Sequence, residues 1–222
     1  MPPHLKWRQV PQPTEDERLL RAARYLRNNL SMKTKKKIPP DFDLSGKRVA
    51  ALSADGFEQS ELLKPVEALQ LHGAKVDVIT PDGEPIRGWT DDNWGQTIAA
   101  DRSLEGVDPS DYDGLLLPGG VINSDALRQL PKAREFVRHF MTEGKPTFAI
   151  CHGSQVLIDA DLVEARHMTS YPAIAEDLRN AGADWEDMEV VVDNGFVTSR
   201  SPDDLPVFCA KICEELAEEV HA

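Results

Sequence analysis

The chain of 222 residues has few cysteines, no long apolar run, and little positive charge beyond its first 47 residues. Three cysteines are too few for a disulfide scaffold, and an odd number cannot all pair with one another. This indicates a reducing, cytoplasmic setting. No apolar run approaches the ~18 residues that would span a membrane. The first residues also lack the charged-then-apolar pattern of a secretory signal. We therefore expect a cytoplasmic protein with no membrane partner.

Charge divides the chain into a basic arm and an acidic body. Residues 1–47 carry 11 Lys and Arg against 5 Asp and Glu, whereas residues 48–222 carry 14 against 33. Because an acidic surface repels phosphates, nucleic acid is not an expected partner of the body. We expect residues 1–46 to form a basic N-terminal arm and linker whose helix, beginning at Thr14, packs on the acidic body or a neighbouring subunit. Met32 is an alternative to Met1 as the start of translation.

After the arm, short apolar runs alternate with helical patterns. Strands are predicted at residues 48–52, 76–79, 113–117, 147–150, 189–192 and 196–198, a short hairpin within 81–107, and helices at 59–72, 132–143, after 151–153, 174–181 and 203–220. Continuously apolar strands separated by helices predict a mostly parallel sheet covered on both faces, that is, an α/β sandwich. In such sheets, functional residues follow the carboxyl ends of strands.

Cys151 stands between a predicted strand and a predicted helix, with Ala149 two residues before it and Gly153 two residues after it. Small residues at these positions are typical of a nucleophile elbow, here with Cys in place of Ser. The helix N-terminus and the adjacent His152 favour thiolate over thiol, and His152 is a candidate general base. The alternative is a buried structural cysteine beside a histidine that points away from it.

Two more loops should meet Cys151 at the same edge of the sheet. Glu58 and Glu61 begin the first helix of the body, where acids are common caps. A carboxyl kept protonated there by burial would hydrogen-bond the thiol and shuttle a proton. Gly119 and Gly120 follow another buried strand, and their N–H groups, together with that of His152, are candidates for an oxyanion hole.

Other constellations are weaker. Cys209 and Cys213 lie four residues apart on the last predicted helix, but no suitably spaced partner supports a metal site, so core packing is the better interpretation. No metal or other cofactor is expected. Trp89 and Trp94 bracket a loop that lines or covers a pocket. A class I amidotransferase is excluded because no histidine after Cys151 has Glu two residues later.

Six segments together resemble the ThiJ/PfpI superfamily, in its PfpI-type branch: residues 55–62, 117–120, 144–146, 149–153, 169–172 and 198–206. The resemblance spans about residues 48–218. It implies that residues 47–222 form a flavodoxin-like three-layer α/β/α sandwich, similar to the class I glutamine amidotransferase domain, that assembles into homodimers or hexamers.

The resemblance also implies roles for five side chains. Cys151 is the expected nucleophile and His152 its partner, while Glu61 matches the carboxyl at the elbow, Glu58 a second recurrent acid, and Tyr171 a substrate-pocket position near the sulfur. Members of the superfamily are intracellular cysteine peptidases, glyoxalase III-type hydratases of methylglyoxal, deglycases of glycated proteins, and stress chaperones.

One departure from the PfpI pattern concerns the acid of a peptidase-like triad. PfpI-type members place this acid roughly where residues 128–133 stand, and here Pro131 takes its position, with Asp125 and Glu135 on either side. We therefore predict a cysteine-dependent stress-response enzyme that acts on small aldehydes or on glycated protein. The alternatives are an intracellular cysteine peptidase and a non-catalytic redox-sensing chaperone.

Overall fold

The computed structural model describes residues 42–218, so the predicted arm helix and the end of the last predicted helix lie outside the described residues. The elements are β1 (Arg48–Leu52), α1 (Gln59–Leu71), β2 (Lys75–Thr80), β3 (Ile86–Thr90), β4 (Asn93–Ile98), β5 (Arg102–Ser103), β6 (Gly114–Leu117), α2 (Val121–Arg128), α3 (Pro131–Thr142), β7 (Thr147–Ile150), α4 (Gln155–Asp159), β8 (His167–Met168), α5 (Ala175–Asn180), β9 (Asp184–Trp185), β10 (Val190–Asp193), β11 (Phe196–Ser199) and α6 (Leu205–Ala217). A short 3-10 helix, Cys151–Ser154, joins β7 to α4.

Seven strands form the central sheet in the order β10-β11-β7-β6-β1-β2-β5. All neighbours are parallel except β10, which is antiparallel to β11. One apolar cluster packs α2 to α5 on one face, through side chains such as Leu127, Phe136 and Leu178. A second cluster packs α1 and α6 on the other face, through Leu62 and Phe208. The predicted flavodoxin-like three-layer sandwich is confirmed.

The predicted elements match the structure except where the sequence signal is short or polar. The hairpin expected within residues 81–107 is the β3–β4 pair. Helix α2 was not predicted, because the polar run Asn123 to Asp125 interrupts its eight residues and leaves no sustained apolar stripe. The last helix begins at Leu205 rather than 203, since a 3-10 turn at Pro202–Asp204 precedes it. Within residues 42–218, no helix is long and apolar enough to cross a membrane.

The segment before β1 packs on the body. Leu44 is completely buried in the cluster of α1 and α6, and its N–H donates to the carbonyl oxygen of His72. The Phe42 ring meets the His72 ring edge-on, with centroids 5.8 Å apart. Leu44, which the charge pattern assigns to the arm, therefore contributes to the core, and the half-buried Phe42 packs against it.

Candidate active site

Three loops converge at the carboxyl edge of the sheet, after β1, β6 and β7. The Glu58 N–H, from the loop after β1, donates to the carbonyl oxygen of Gly119 in the loop after β6, at 3.2 Å. A Cβ atom at position 119 would overlap the Glu61 carboxyl and lie 2.6 Å from the Cβ of Cys151. The three loops thus pack without space for a side chain between them.

The turn at Cys151 has the backbone geometry that a nucleophile elbow requires. Cys151 has φ +61°, in the left-handed region that non-glycine residues seldom adopt, and its side chain is buried. A Cβ atom at Gly153 would overlap the carbonyl oxygen of Leu117 and lie 3.1 Å from that of Pro118. The expectation that residue 153 must be small is thereby explained by the strand beside the elbow.

Glu61 lies against this sulfur and is completely buried. Its Oε2 accepts a hydrogen bond from the Gly119 N–H at 3.0 Å, while no N–H or O–H group of the described residues donates to its buried Oε1. Burial, and next the negative charge of Glu58, raise the pKa of Glu61 to about 8, although hydrogen bonds to Cys151 and Gly119 oppose the rise. Glu61 is therefore protonated at neutral pH and can donate to the sulfur.

The thiol does not show the lowered pKa that the sequence suggested. Burial raises the pKa of Cys151, and so does an ionised Glu61, whereas the N–H groups of Gly120 and His152 lower it. The helix after the elbow contributes little, because α4 has only five residues. A proton on Glu61 removes the repulsion between the two groups, so the neutral carboxyl is the partner that lets the sulfur ionise.

His152 contacts both the sulfur and Tyr171. Its Nδ1 lies 3.3 Å from Sγ of Cys151, and its ring stacks on that of Tyr171 with centroids 4.8 Å apart. Burial lowers the pKa of His152, so the imidazole is neutral at neutral pH and can accept the thiol proton. No carboxylate among residues 42–218 contacts this histidine, and Pro131 occupies the first turn of α3.

Two of the predicted site residues have roles different from those expected. The Gly119 N–H is engaged by Glu61, and the N–H groups that lower the pKa of Cys151 are those of Gly120 and His152. Glu58 is the N-cap of α1, and its Oε1 accepts hydrogen bonds from the N–H and hydroxyl of Ser60 at 3.4 and 3.0 Å. It acts on Glu61 through its charge.

Asn123, which the motif analysis did not single out, connects two of the loops. It is completely buried, and its Oδ1 accepts from the Ala54 N–H at 2.7 Å and from the Ser53 hydroxyl at 3.4 Å. Its Nδ2 donates to the carbonyl oxygens of Pro118 and Gly119 at 2.9 and 3.0 Å. A polar residue three positions after the Gly-Gly pair was the only sequence signal.

The remaining candidates lie outside this cluster. Trp89 and Trp94 face each other across the β3–β4 hairpin, with ring centroids 5.5 Å apart and ring planes at 76°. The backbone N–H of Trp89 donates to the Phe57 carbonyl oxygen at 2.7 Å. Cys213 is buried between α6 and the sheet, and Cys209 packs against the same cluster, as core packing predicts. No group of three potential metal ligands occurs within the described part of the chain.

The DJ-1/PfpI family model matches residues 47–215, which contain all of this cluster. The chain belongs to the DJ-1/PfpI family. Among family members, the putative cysteine protease YraA of Bacillus subtilis is 44% identical over 163 residues, which cover 73% of this chain and 94% of that protein. The protein/nucleic acid deglycase 2 of Escherichia coli is 42% identical over 164 residues, covering 73% and 93%.

Solved DJ-1/PfpI structures share the fold. DJ-1beta of Drosophila melanogaster superposes with a TM-score of 0.70 at 31% identity, covering 77% of this chain and 90% of that one. A protein of Anabaena variabilis with DJ-1/ThiJ/PfpI-like and ferritin-like domains superposes with a TM-score of 0.72 at 35% identity, covering 77% of this chain. This chain spans about half, 48%, of that two-domain protein.

Proposed function

We propose that the chain is a cysteine-dependent enzyme that converts reactive α-oxoaldehydes, such as methylglyoxal, or their early adducts on protein amines. The observation that carries this proposal is the buried carboxyl of Glu61, whose pKa of about 8 keeps it protonated at neutral pH and which lies so close to Cys151 that a Cβ atom at position 119 would overlap both residues. An acid and a nucleophile placed together are what an aldehyde needs, because its oxygen gains a proton as sulfur adds to its carbon.

The proposed reaction conserves every atom of the aldehyde and one water. The Cys151 sulfur adds to the aldehyde carbon of methylglyoxal, its proton passes to His152, and Glu61 protonates the oxygen to give a hemithioacetal. A base, Glu61 or His152, then takes the proton from this carbon and, through an enediol, returns it to the neighbouring carbon. The hydroxyl proton moves to the oxygen of that neighbouring carbon, which produces an S-lactoyl thioester. Water hydrolyses the thioester to lactate and restores the thiol. In an early amine adduct, a hemiaminal, the C–N bond breaks first: the nitrogen takes a proton from Glu61, the hydroxyl gives its proton to His152, and the amine departs. The aldehyde that is freed then follows the same steps.

The arrangement gives less support to peptide hydrolysis. A neutral His152 without a carboxylate partner among the described residues is a weak base for attack on an unactivated amide. The relative's name, deglycase, fits the acid–thiol pair, and the name cysteine protease fits the elbow. We therefore place conversion of aldehydes ahead of proteolysis.

We also propose that the protein self-associates next to this site. Val121 and Ile122, which begin α2, and Tyr171 are large apolar residues that are 59%, 48% and 40% exposed. Val121 and Ile122 directly follow the Gly119–Gly120 turn, and Tyr171 stacks on His152, so all three lie around Cys151. Large apolar side chains clustered at a surface are typical of interfaces. Light scattering should give a mass above 24.7 kDa for the wild type, and a lower mass for Ile122→Lys.

The decisive experiment measures lactate formed from methylglyoxal by the wild type, Cys151→Ala and Cys209→Ala. Cys209, a half-buried thiol on α6, is the matched control. We expect lactate from the wild type and the control, and none above background from Cys151→Ala. A fluorogenic peptide assay is run beside it. Peptide cleavage that requires Cys151, without lactate, would show that the proposal is wrong and that the enzyme is a peptidase.

A further inference from the structure

We propose that Asn123 is a positioning residue that aims the N–H groups of Gly119 and Gly120 into the active site. It does so by binding the carbonyl oxygens of Pro118 and Gly119, which lie on the opposite sides of the same two peptide planes. The inference rests on the proposed function only in taking Cys151 as the reactive group. Its test reads the thiol directly and requires no substrate.

The first step is the geometry of a trans peptide, in which C=O and the following N–H point in opposite directions within one plane. The described chain contains no cis peptide bond. The carbonyl of Pro118 and the N–H of Gly119 belong to one plane, and the carbonyl of Gly119 and the N–H of Gly120 belong to the next. Fixing either carbonyl therefore fixes where the attached N–H points.

Asn123 holds both carbonyls with one amide group. Its Nδ2 donates to Pro118 O at 2.9 Å and to Gly119 O at 3.0 Å. On the other sides of these planes, the Gly119 N–H donates to Oε2 of Glu61 at 3.0 Å, and the Gly120 N–H acts on the sulfur of Cys151 and lowers its pKa. The two peptide planes thus connect the amide nitrogen of Asn123 with Glu61 on one side and with Cys151 on the other.

The other end of the Asn123 side chain is anchored in a different loop. Its Oδ1 accepts from the Ala54 N–H and from the Ser53 hydroxyl, at the end of β1. The reversed amide would set NH₂ against the Ala54 N–H and oxygen against two carbonyls, so the hydrogen bonds allow only one orientation. Because the side chain is completely buried, water cannot replace these bonds without opening the site.

Hydrogen bonds in series also polarise one another, so donation to a carbonyl strengthens donation by the N–H of the same peptide. Asn123 therefore both directs and reinforces the N–H that faces the sulfur. Without its two donated bonds, the Gly119 carbonyl keeps only the hydrogen bond from the Glu58 N–H, so the Gly-Gly turn is held less firmly. The N–H that stabilises the negative charge of the sulfur is then less well aimed. We expect the thiol to ionise at higher pH as a result.

The test measures the rate at which iodoacetamide labels Cys151 as a function of pH, by mass spectrometry, in the wild type and in two variants. Asn123→Asp keeps the shape and the acceptor for Ala54 but replaces the donor with an oxygen. Asn123→Ser is neutral and too short to reach both carbonyls. We expect both to raise the midpoint of the labelling profile by about one pH unit, so that labelling at neutral pH slows about tenfold.

Ser124→Ala is the matched control, since Ser124 is the next residue of α2, equally buried, and its hydroxyl has no hydrogen-bond partner among residues 42–218. Its profile should coincide with that of the wild type. Circular dichroism and thermal unfolding show which variants are folded. A merely structural role of Asn123 would lower the stability of a folded variant without moving the midpoint of its labelling profile. Folded variants with an unmoved midpoint would overturn the proposal. A shift in Asn123→Asp alone would also overturn it, since that shift would come from the new charge.

Loss of the fold in both Asn123 variants would make Asn123 a folding residue and would overturn the proposal as well. The result is separable from that of the lactate assay. If the wild type forms no lactate but the midpoint moves in both variants, the proposed function fails and the positioning role stands. If lactate forms and the midpoint moves in neither variant, the proposed function stands and the positioning role fails.

Discussion

A carboxyl group buried against a sulfur atom changes how the folded chain responds to pH. Glu61 keeps its proton up to about pH 8 in the folded chain and releases it near its ordinary value of 4.5 in the unfolded chain. Between these values the folded state binds more protons, so its free energy of unfolding falls as pH rises. The contribution is fully present below about pH 4.5 and is lost as pH passes through about 8.

Glu61→Gln should remove this dependence while keeping an acceptor for Gly119. We expect the stability of the variant relative to the wild type to increase with pH between about 4.5 and 8, by at most ~1.4 kcal/mol per pH unit. Urea unfolding at several pH values measures the difference. Glu67→Gln, an exposed position on the same helix, is the control and should show no such trend. A constant difference for Glu61→Gln would mean that Glu61 titrates normally.

The left-handed backbone of Cys151 leads to a second expectation for single residues. Alanine at a positive φ is strained by roughly 1 kcal/mol relative to glycine. We therefore expect Cys151→Gly to be about 1 kcal/mol more stable than Cys151→Ala in denaturant unfolding. At Ala149, an ordinary strand position two residues earlier, glycine should instead be the less stable choice. If alanine were preferred at both positions, the elbow would not be strained.

The sequence identified the site residues that carry a strong local signal. Cys151 could be predicted because small neighbours and a strand-to-helix transition accompany it, and Glu61 because it begins the helix after a strand of the same sheet. The direction in which the pKa of Cys151 shifts could not be predicted, since the burial of the thiol depends on how the three loops pack. Asn123 has only a weak local signature, its place three residues after the Gly-Gly pair, because two of its four partners lie 69 and 70 residues away.

At the scale of elements, the β6 strand and the elbow are so close that their spacing sets the position of the nucleophile. Gly153→Ala would push a methyl group against the backbone of Leu117 and Pro118, and backbone cannot rotate away as a flexible side chain can. We expect a loss of at least about 2 kcal/mol in the free energy of unfolding. Thermal and urea unfolding measure it.

Gly106→Ala provides the comparison, because a Cβ atom there would meet nothing within 4 Å. Its free energy of unfolding should stay within about 0.5 kcal/mol of the wild type. Equal effects of the two substitutions would show that the elbow can move away from β6, and that the close approach does not constrain it.

Most elements were predictable because their apolar periods are unambiguous. The buried runs of β1, β6 and β7 have no polar interruption, and α3 has a regular apolar face that includes Phe136 and Phe140. The two-residue strands β5, β8 and β9 are too short for any period to show. Their pairing comes from tertiary packing, which a local pattern does not contain.

At the scale of the whole molecule, the acidic excess beyond residue 47 has a cost that added salt should relieve. Residues 48–222 carry 33 acidic against 14 basic side chains, so mutual repulsion opposes the compact state. We expect the melting temperature to rise as sodium chloride increases from about 0.02 to 0.5 M. Potassium chloride at equal ionic strength should act alike. A fall in melting temperature would mean that surface ion pairs, such as Arg128 with Asp159, outweigh the repulsion.

The packing of Trp89 against Trp94 gives the molecule an optical reporter close to its chemistry. Two indoles with ring centroids 5.5 Å apart and ring planes at 76° absorb light as a coupled pair, and the sign and size of their circular dichroism depend on their mutual angle. The backbone of Trp89 pairs with that of Glu58, in the loop that leads to Glu61. A rearrangement of that loop during turnover would therefore alter the exciton signal, and stopped-flow spectroscopy could follow the active site without any attached dye.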